Sequence, residues 1–270
     1  MYDIIVIGGG PAGLSAAING RQKGRSVAVV SNDSSQSGLY KALEVWNYPG
    51  FPKITGRALI KKLADHAVAA GAELITGRVS VVMPMGTEFS IGYGTEILSA
   101  KSLIIATGVA QTSLFPGEAE YLGRGVSYCT TCDGMLFRGK RVCAVCHAPE
   151  AEEEAAYLES IGCEVIRVKT KDIVIKGGDY ITSITAAGEE IGCEGVFIMR
   201  HAVAPHLLVS GLEMDGRHIR TDLDCQTNIS GVFAAGDCTG TPYQIAKAVG
   251  QGLVAALAAS DFVIKDKFFA

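Results

Sequence analysis

The sequence predicts a two-domain α/β fold in which one dinucleotide-binding unit is interrupted by a second, smaller unit. A glycine-rich turn joins a buried strand to a helix at the start of the chain, and a strand–helix–strand pattern recurs in the middle. A further buried strand and an apolar helix follow near the end. The 270 residues are 48% hydrophobic, which is enough for a sizeable core in each of two domains.

Composition and charge exclude several classes of function. A net charge of -4 without long single-sign runs gives no indication of a nucleic-acid binder. No uninterrupted run approaches eighteen apolar residues, so no transmembrane helix is expected, and MYDIIVIGGGPAG is interpreted as a buried strand rather than a signal peptide. Eight cysteines then fit thiols that are kept reduced, and we expect a cytoplasmic protein.

The first unit begins with a phosphate-binding pattern. Asp3 to Ile7 is a short apolar strand, Gly8, Gly10 and Gly13 form G-x-G-x-x-G, and Ser26 to Val30 is the second strand. In such a turn the first glycine permits the tight bend, the second lets a pyrophosphate approach the backbone, and the third lets the helix pack on the strand. The helix N-terminus adds amide donors and a positive dipole end, so the pattern predicts a dinucleotide site.

One part of the dinucleotide pattern is missing. An acidic residue is expected about twenty residues further on, at the end of the second strand, to bind a ribose. That position holds Ser31 or Asn32, with Asp33 just beyond. A neutral side chain can still bind a ribose hydroxyl, although more weakly than a carboxylate.

Two later segments complete the first unit. Ser102 to Gly108 (SLIIATG) and Gly231 to Asp237 (GVFAAGD) are predicted buried strands that end in small turns. The segment between them, from about Thr112 to His201, repeats the strand–helix–strand pattern as RVCAVC, PEAEEEAAYLESIG and EVIRVK. It is predicted to form a smaller, inserted nucleotide-type domain.

The chain ends in a predicted helix. Pro242 suits its first turn, and Gly250 and Gly252, each costing about 1 kcal/mol of helix propensity, indicate that another element approaches closely. An apolar stripe recurs every four residues, at Ile245, Val249, Leu253 and Leu257.

The stretch CAVCH, with Cys143, Cys146 and His147, has three interpretations. It matches the c-type haem attachment pattern, it could form a four-thiolate zinc site with the nearby Cys129 and Cys132, or its cysteines could fill positions in a strand and turn. Haem attachment normally takes place outside the cytoplasm. Zinc is disfavoured because residues three apart on a strand point to opposite faces. For Cys163, Cys193 and Cys225 a buried structural role is expected, and Cys238 is left open.

Several stretches together resemble the low-molecular-weight thioredoxin reductases, a family of flavoproteins, over essentially the whole chain. They are GGGPAG, NYPGF at Asn47 to Phe51, IIATG at Ile104 to Gly108, YCTTCDG at Tyr128 to Gly134, and AAGDCTG with YQIAKAVGQG. The resemblance implies a two-domain, three-layer Rossmann-like FAD/NAD(P)-binding fold of flavoprotein disulfide reductases with a shortened middle domain. Residues 1–112 and 202–270 would form the FAD-binding domain, and residues 113–201 an inserted domain that carries the CxxC pair.

The resemblance also implies FAD as cofactor. The C-terminal helix would aim its positive N-terminal end at the flavin, where it can stabilise negative charge on the reduced ring. Contacts to the pyrophosphate are implied for Gly8, Gly10, Pro11, Ala12 and Gly13. The remaining cofactor-binding positions are Ser31, Asn47, Ala106, Thr107, Gly108, Gly236, Asp237, Tyr243, Gln244 and Ile245.

Cys129 and Cys132 match the family's redox pair. Two intervening residues let the thiols close a small disulfide, and a helix start can lower the pKa of one of them. By resemblance Cys132 exchanges electrons with the flavin and Cys129 reacts with the partner's disulfide. Asp133 is a candidate proton donor to a leaving thiolate. A chance pair, or half of a zinc site, is the alternative.

The second glycine-rich turn of the family is altered here. The segment 146–151 reads CHAPEA and contains no glycine, and Glu150 adds negative charge where a phosphate would bind. The family's basic cluster that holds the NADPH 2′-phosphate is absent as well, and only the alternating Arg167 and Lys169 occur at its place. We expect little or no NADPH binding, and the alternative is a weakened site.

The same departures are shared by ferredoxin-dependent thioredoxin reductases, which this sequence resembles most. The resemblance implies ferredoxin as electron donor, thioredoxin as substrate, a homodimer, and no bound metal. Two alternatives stay open, namely an NADPH-dependent reductase with a degenerate nucleotide site and a flavin redox sensor without turnover. Candidate basic clusters for ferredoxin docking are Arg138, Lys140 and Arg141, or Arg21, Lys23 and Arg25.

Overall fold

A computed structural model describes residues 1–32, 37–108, 114–147, 151–199 and 205–269, without the side chains of Cys132 and residues 265–269. The chain divides into two compact units. Unit 1 comprises Met1–Ile91, Leu98–Ala110 and Ala204–Ala270, and unit 2 comprises Gly92–Ile97 and Gln111–Val203. The division predicted from the sequence assigned residues 92–97 to the first domain, whereas they group with unit 2.

The N-terminal part of the chain alternates strands with helices, as its apolar runs and glycine-rich turns predict. Its elements are β1 (Tyr2–Ile7), α1 (Pro11–Gln22), β2 (Val27–Ser31), α2 (Gly38–Lys41), α3 (Gly56–Ala69), β3 (Glu73–Thr76), β4 (Val79–Met85), β5 (Glu88–Tyr93) and β6 (Glu96–Ile105).

The inserted segment contains its own strand–helix–strand core. Its elements are β7 (Val126–Ser127), α4 (Thr130–Asp133), β8 (Arg141–Cys146), α5 (Ala151–Ser160), β9 (Glu164–Val168), β10 (Ile173–Gly177), β11 (Ile181–Ala186), β12 (Glu189–Gly192) and β13 (Gly195–Met199). The chain then returns to unit 1 with α6 (Pro205–Leu208), β14 (Met214–Asp215), β15 (His218–Ile219), β16 (Val232–Ala234) and α7 (Ile245–Phe269).

The main sheet of unit 1 brings the predicted cofactor segments to one edge. Its order is β3-β2-β1-β6-β5-β4, and β16 also pairs with β6. Ile4 of β1 lies opposite Val27 on one side and Ser102 on the other, both in parallel register. Phe233 of β16 lies opposite Ile104, again in parallel. The carboxyl ends of these parallel strands therefore share one edge, which is where doubly wound sheets bind their ligands.

Unit 2 has a parallel sheet of order β7-β13-β8-β9 and an antiparallel sheet of order β10-β11-β12. Helix α5 covers one face of the parallel sheet through Ala155 and Leu158, which pack with Val142 and Phe197. The strands β8 and β13 are buried almost throughout, as expected for a parallel sheet.

Helix α7 corrects two sequence predictions. It begins at Ile245, so Pro242 precedes it and does not lie in its first turn. The predicted stripe does not face the core, because Leu253 is 39% and Leu257 36% exposed. Residues four apart rotate by about 40° per step, so such a stripe winds away from any one face. The buried residues are mostly small instead, namely Ala248, Gly252, Ala255, Ala256, Ala259, Ser260 and Val263.

Small residues on α7 allow a close approach to α1. Ser15 of α1 donates a hydrogen bond from its Oγ to the Val249 carbonyl oxygen, 2.7 Å away. A Cβ on Gly252 would overlap the Ala12 carbonyl oxygen, whereas a Cβ on Gly250 would have no atom within 4 Å. The prediction of a close approach is therefore confirmed at Gly252 and wrong at Gly250.

These two glycines give a matched pair of predictions. We expect Gly252→Ala to lower the free energy of unfolding by about 2–3 kcal/mol, because α1 and α7 must separate. Gly250→Ala should raise it by up to about 1 kcal/mol, because alanine improves helix propensity without a clash. Urea denaturation followed by circular dichroism measures both changes, and equal effects of the two substitutions would contradict the assigned contact.

Among the described residues, one helical segment, Ile245–Ile264 of α7, is long and apolar enough by composition to cross a membrane. The expectation above considered only uninterrupted apolar runs and did not identify it. Core helices of globular proteins share these properties, and the small face of α7 packs on α1 through the contacts just described.

Candidate functional site

The glycine-rich turn after β1 has the geometry that phosphate binding requires. Helix α1 begins at Pro11, and Gly10 is its N-cap. A Cβ on Gly13 would overlap the Gly8 carbonyl oxygen, so the helix packs directly on the turn. A Cβ on Gly10 would have no atom within 4 Å and would point into open space. Gly10 therefore leaves room beside the helix N-terminus, as a pyrophosphate needs.

The end of β2 lies beside this turn. The Ser31 Oγ donates a hydrogen bond to the Asn32 carbonyl oxygen at 2.8 Å. A Cβ on Gly9 would come within 2.6 Å of the Ser31 Oγ, so the serine closes that side of the turn. Asp33, which was considered as the acidic residue, lies outside the described residues.

Thr107 lies two residues after the end of β6, between Ala106 and Gly108. Its Oγ1 is buried and has no hydrogen-bond partner within the described part of the chain. Gly108 has a φ of +68°, in the left-handed region that favours glycine. A buried hydroxyl without a partner is costly, and a ligand with polar groups would satisfy it.

Asp237 follows β16 at the same edge, and it too has a buried oxygen atom that lacks a hydrogen bond. Its Oδ1 is buried and has no hydrogen-bond partner among the described residues. Burial raises the pKa of this carboxyl group, and the charge of Lys247 opposes the shift. A sugar hydroxyl is a donor of the kind that this oxygen lacks.

Two residues that sequence reasoning missed hold the segment around Asp237. Lys247 donates from Nζ to the carbonyl oxygens of Gly236 and Gly240, at 3.1 and 2.5 Å. The Gln251 Oε1 accepts from the Gly236 backbone amide at 3.0 Å and from the Thr239 Oγ1 at 3.1 Å. A lysine in the first turn of a helix is unfavourable, because its charge opposes the helix dipole. This unfavourable position is the sequence feature from which a special role of Lys247 could have been predicted.

The structure brings together two distant residues that were predicted to bind the cofactor. The Asn47 Nδ2 donates a hydrogen bond to the Gln244 Oε1 at 2.8 Å. The neighbouring Tyr243 has its hydroxyl 2.7 Å from the His218 Nε2. His218 was not predicted, because it lies 25 residues from Tyr243 in a two-residue strand without a motif.

The residues at this edge fit FAD, the cofactor that the resemblance implies. The open space at Gly10 suits the pyrophosphate, and the buried Thr107 Oγ1 and Asp237 Oδ1 offer acceptors to its hydroxyl groups. Helix α7 begins at Ile245, and its N-terminus carries the partial positive charge that was predicted to lie near the flavin. The individual cofactor contacts remain predictions.

Asp237 gives a pH-dependent prediction for the apoprotein. Because its folded-state pKa lies above the ordinary 3.8, the folded state binds this proton more tightly than the unfolded state does. The charged carboxylate therefore reduces stability progressively as pH rises from 3.8 through the raised pKa. We expect Asp237→Asn to be more stable than the unsubstituted apoprotein at pH 7 and equally stable near pH 3, measured by urea denaturation. A constant difference across this range would contradict the assignment.

The CxxC segment of unit 2 forms the short helix α4. Cys129 is 3% exposed and disulfide-bonded, and the backbone of Cys132 lies in α4, while its side chain lies outside the description. The Ser127 Oγ donates to the Asp133 Oδ2 at 2.6 Å and accepts from the Cys129 amide at 3.1 Å. Ser127, which was not predicted, thus fixes the carboxylate of Asp133 relative to the backbone of Cys129.

Two fully buried glutamates support this segment. Glu118 is 0% exposed and accepts from the Tyr128 hydroxyl and the Phe115 amide, both at 2.8 Å. Glu154 of α5 is 1% exposed and accepts from the Thr130 Oγ1 at 3.4 Å. Buried carboxyl groups are costly unless they are hydrogen-bonded, so these pairs hold the residues on both sides of Cys129.

The turn after β8 is occupied by the side chain of His147. Its backbone amide donates to the Met199 carbonyl oxygen at 2.9 Å, and its Nε2 lies 2.8 Å from the Thr170 carbonyl oxygen, to which it donates. The imidazole also contacts the edge of the Phe115 ring. His147 therefore spans the carboxyl edge of β8 and β9, where a doubly wound sheet would bind a nucleotide. Ala148, Pro149 and Glu150 lie outside the described residues.

Both basic residues that remain near this turn form ion pairs with α5. Arg167 contacts Glu152 at 3.0 Å and Glu159 at 2.6 Å, and Lys169 contacts Glu152 at 2.8 Å. These partners raise the pKa of Arg167 and of Lys169 and lower that of Glu152. Glu152 is the second residue of α5, so its carboxylate stands near the helix N-terminus, the position that a phosphate would need.

Cys143 and Cys146 of the CAVCH stretch lie on opposite faces of β8, as predicted. Cys146 packs with the residues under α5, and its thiol contacts the Ala144 and Ala151 carbonyl oxygens. Cys143 is fully buried and hydrogen-bonds to the thiol of Cys193, which raises the pKa of Cys143. Within the described residues, no group of three or more histidine, cysteine, aspartate or glutamate side chains could hold a metal ion.

The other cysteines are buried. Cys163 and Cys225 are 7% and 3% exposed, which agrees with the structural role expected for them. The thiol of Cys238, whose role was left open, donates to the Ala235 carbonyl oxygen at 3.2 Å, and burial raises its pKa to about 12. Such a thiol is unreactive, so Cys238 also fills the core.

Comparisons with known proteins agree over nearly the whole chain. A family model for pyridine nucleotide-disulphide oxidoreductases matches residues 2–187 and 166–252. A thioredoxin reductase from Treponema pallidum is 30% identical, with 97% of both chains covered. Two structures of a ferredoxin-flavin thioredoxin reductase from Clostridium acetobutylicum are also similar. They are 39% and 37% identical, have TM-scores of 0.81 and 0.86, and cover 99% and 98% of both chains, respectively.

Proposed function

Because the chain belongs to the pyridine nucleotide-disulphide oxidoreductases, as a thioredoxin reductase-type flavoprotein, we propose that it reduces thioredoxin with electrons from ferredoxin. FAD bound at the edge of the unit 1 sheet would accept these electrons, and Cys129 with Cys132 would pass them to the disulfide of thioredoxin. In this proposal NADPH is not the donor.

The pairing of Arg167 and Lys169 with glutamates of α5 is the observation that carries this proposal. The 2′-phosphate of NADPH would need cations at the end of β9, and both Arg167 and Lys169 are paired with the carboxylates of Glu152 and Glu159. A phosphate would also meet the carboxylate of Glu152 at the start of α5. Like charges at a few ångströms repel, so these carboxylates disfavour a phosphate at this end of α5.

The side chain of His147 supports the same proposal on steric grounds. In the family the corresponding turn is glycine-rich, so that a pyrophosphate can lie against the backbone. Here an imidazole fills part of that edge and bonds to the Thr170 carbonyl oxygen. The similarity to the Clostridium acetobutylicum ferredoxin-flavin thioredoxin reductase structures, at TM-scores of 0.81 and 0.86, is independent support.

The chemistry divides between the cofactor and the chain. Bound FAD can accept electrons one at a time from a one-electron carrier and release them as a pair. Two electrons and two protons convert the Cys129–Cys132 disulfide into two thiols. Cys129 then attacks the disulfide of thioredoxin, Cys132 displaces the reduced thioredoxin, and the pair returns to its disulfide. Asp133, whose carboxylate accepts a hydrogen bond from the Ser127 hydroxyl, would exchange a proton with this segment.

An anaerobic assay with two donors tests the proposal. FAD-loaded protein is mixed with oxidised thioredoxin and either NADPH or reduced ferredoxin, and thiols on thioredoxin are counted by alkylation. We expect new thiols with ferredoxin and none above background with NADPH. Thiols with NADPH alone would support the alternative of an NADPH-dependent reductase. Flavin bleaching by ferredoxin without new thiols would support the redox sensor.

Two further features belong to this proposal. The resemblance implies a homodimer, and sedimentation velocity should give twice the mass of one chain. A cytoplasmic location fits an enzyme whose substrate and donor are both intracellular redox proteins, and fractionation of cells with an antibody to the protein tests it.

A further inference from the structure

We propose that an exposed aromatic loop, Leu43–Ile54, together with the first two turns of α3, is the surface on which the acidic electron-donor protein docks. The inference rests on the proposed function and adds the place where the electrons enter. We refer to residues 43–54 as the aromatic loop.

The aromatic loop exposes large apolar side chains to solvent. Leu43 is 86% exposed and Trp46, the chain's single tryptophan, is 62% exposed. Tyr48 and Phe51 stack with ring centroids 6.2 Å apart and line a shallow groove with Trp46. Exposed aromatic side chains of this kind are enriched at protein–protein interfaces.

The loop is held in one conformation before any partner arrives. Val45 pairs with Ile54, and Tyr48 pairs with Phe51, each as an antiparallel bridge. The amide of Val45 donates to the Ile54 carbonyl oxygen at 2.7 Å, and the reverse bond measures 3.1 Å. A preformed loop loses little conformational entropy on binding, which favours its use as a docking surface.

Cations surround the exposed rings and specify an acidic partner. The Lys53 Nζ lies 4.6 Å from the centroid of Trp46, and the Lys62 Nζ lies 5.9 Å from that of Phe51. Arg57 at the start of α3 lies over Tyr40, adjacent to the loop. Lys53 also pairs with Glu44, but both side chains are about half exposed, so this ion pair contributes little and can rearrange. The local excess of positive charge contrasts with a net charge of -4 for the whole chain.

The position of the loop relative to the flavin site is the decisive observation. Asn47 lies between Trp46 and Tyr48, and its Nδ2 donates to the Gln244 Oε1 at 2.8 Å. Gln244 directly precedes α7, whose N-terminus is predicted to face the flavin. A donor seated on the aromatic loop would therefore stand next to the predicted flavin site, as electron transfer between proteins requires.

The two basic clusters considered from the sequence are less suitable. The Arg21 Nη1 donates to the Arg25 carbonyl oxygen at 2.6 Å, so this guanidinium stabilises the turn that follows α1. The other cluster, Arg138, Lys140 and Arg141, belongs to unit 2, whereas the predicted flavin site belongs to unit 1.

Charge reversal tests the docking surface. We expect the Lys53→Glu/Lys62→Glu double variant to lower the second-order rate of flavin reduction by reduced ferredoxin at least 10-fold at low ionic strength. The difference should shrink at high salt, because salt screens the attraction between exposed charges. Trp46→Ala should lower the same rate without changing its salt dependence. Calorimetric titration with oxidised ferredoxin should show weaker binding to both variants.

Three controls make the experiment specific. Lys176→Glu reverses an exposed lysine of unit 2 and should leave the rate within about 2-fold of the unsubstituted protein. Dithionite, a small reductant, should reduce the flavin of all variants equally, which shows that the variants are folded and loaded with FAD. Enzyme reduced in advance by dithionite should reduce thioredoxin equally well in all variants.

The possible failures separate the two proposals. If ferredoxin reduced the double variant as fast as the unsubstituted protein, the docking surface would be wrong and the proposed function would stand. If the substitutions slowed only the reduction of thioredoxin, the loop would serve the substrate and not the donor. If ferredoxin reduced none of the proteins while dithionite reduced all of them, the proposed function would fail, and the docking surface with it.

Discussion

Replacement of Cys129 by serine is expected to abolish the reduction of thioredoxin while leaving reduction of the flavin intact. The substitution removes the disulfide in which Cys129 takes part and replaces a thiolate nucleophile by a hydroxyl group. We expect turnover to fall by at least about 1000-fold, as is typical when a catalytic nucleophile is removed. Stopped-flow absorbance follows flavin bleaching, and alkylation counts the thiols formed on thioredoxin.

Cys146→Ser is the matched control for this experiment. Within the described residues, the Cys146 thiol hydrogen-bonds to the carbonyl oxygens of Ala144 and Ala151, and a serine hydroxyl can keep such contacts. This variant should turn over at the unsubstituted rate. Equal losses in Cys129→Ser and Cys146→Ser would mean that the CAVCH thiols take part in the chemistry.

Gly10→Val is expected to weaken the binding of FAD at least about 100-fold, or about 2.8 kcal/mol, without unfolding the apoprotein. Gly10 has φ −80° and ψ −176°, an extended conformation that any residue adopts, and its Cβ would enter open space. The valine side chain would occupy the space assigned to the pyrophosphate. Fluorescence titration of the apoprotein with FAD measures the affinity.

Stability measurements separate a blocked site from a damaged fold. The Gly10→Val apoprotein should stay within about 1 kcal/mol of the unsubstituted apoprotein in urea denaturation, since the change affects only a helix cap. Gly178→Val, at another glycine with open space and no positive φ, should leave FAD affinity unchanged. If Gly10→Val bound FAD normally, the turn after β1 would not be the pyrophosphate site.

The local parts of the fold were predictable because each follows from short-range pattern. The glycine-rich turn at Gly8, Gly10 and Gly13 lies between β1 and α1 as predicted, and a Cβ on Gly13 would indeed overlap the turn. The strand and helix of the middle segment, Arg141–Cys146 and Ala151–Ser160, also appear where they were predicted. Parallel strands and tight turns restrict residue type strongly enough to be visible in one sequence.

The contacts between distant segments were not predictable in the same way. The burial of α7 was assigned to its large residues, whereas the close approach of α1 selects small ones and leaves Leu253 and Leu257 exposed. The link between Asn47 and Gln244 joins positions 197 residues apart. Lys247 donates hydrogen bonds to carbonyl oxygens of an adjacent turn, and no sequence motif predicts such bonds.

The ion pairs of unit 2 add information about the predicted nucleotide site that the sequence did not contain. Arg167 and Lys169 were identified as the remains of a phosphate-binding cluster, but their partners could not be read from spacing alone. Strand β9 runs beside β8, and α5 covers them, so both cations lie close to Glu152. The sequence therefore indicated which cations are present, and the structure adds the carboxylates with which they pair.

Equilibrium binding of NADP⁺ to the FAD-loaded protein tests the central claim most directly. Isothermal titration calorimetry at low ionic strength should detect no saturable binding up to about 1 mM, which corresponds to an affinity weaker than about −4.1 kcal/mol. Saturable binding with a dissociation constant in the micromolar range, abolished by Arg167→Ala, would contradict the claim that these cations are unavailable to a phosphate.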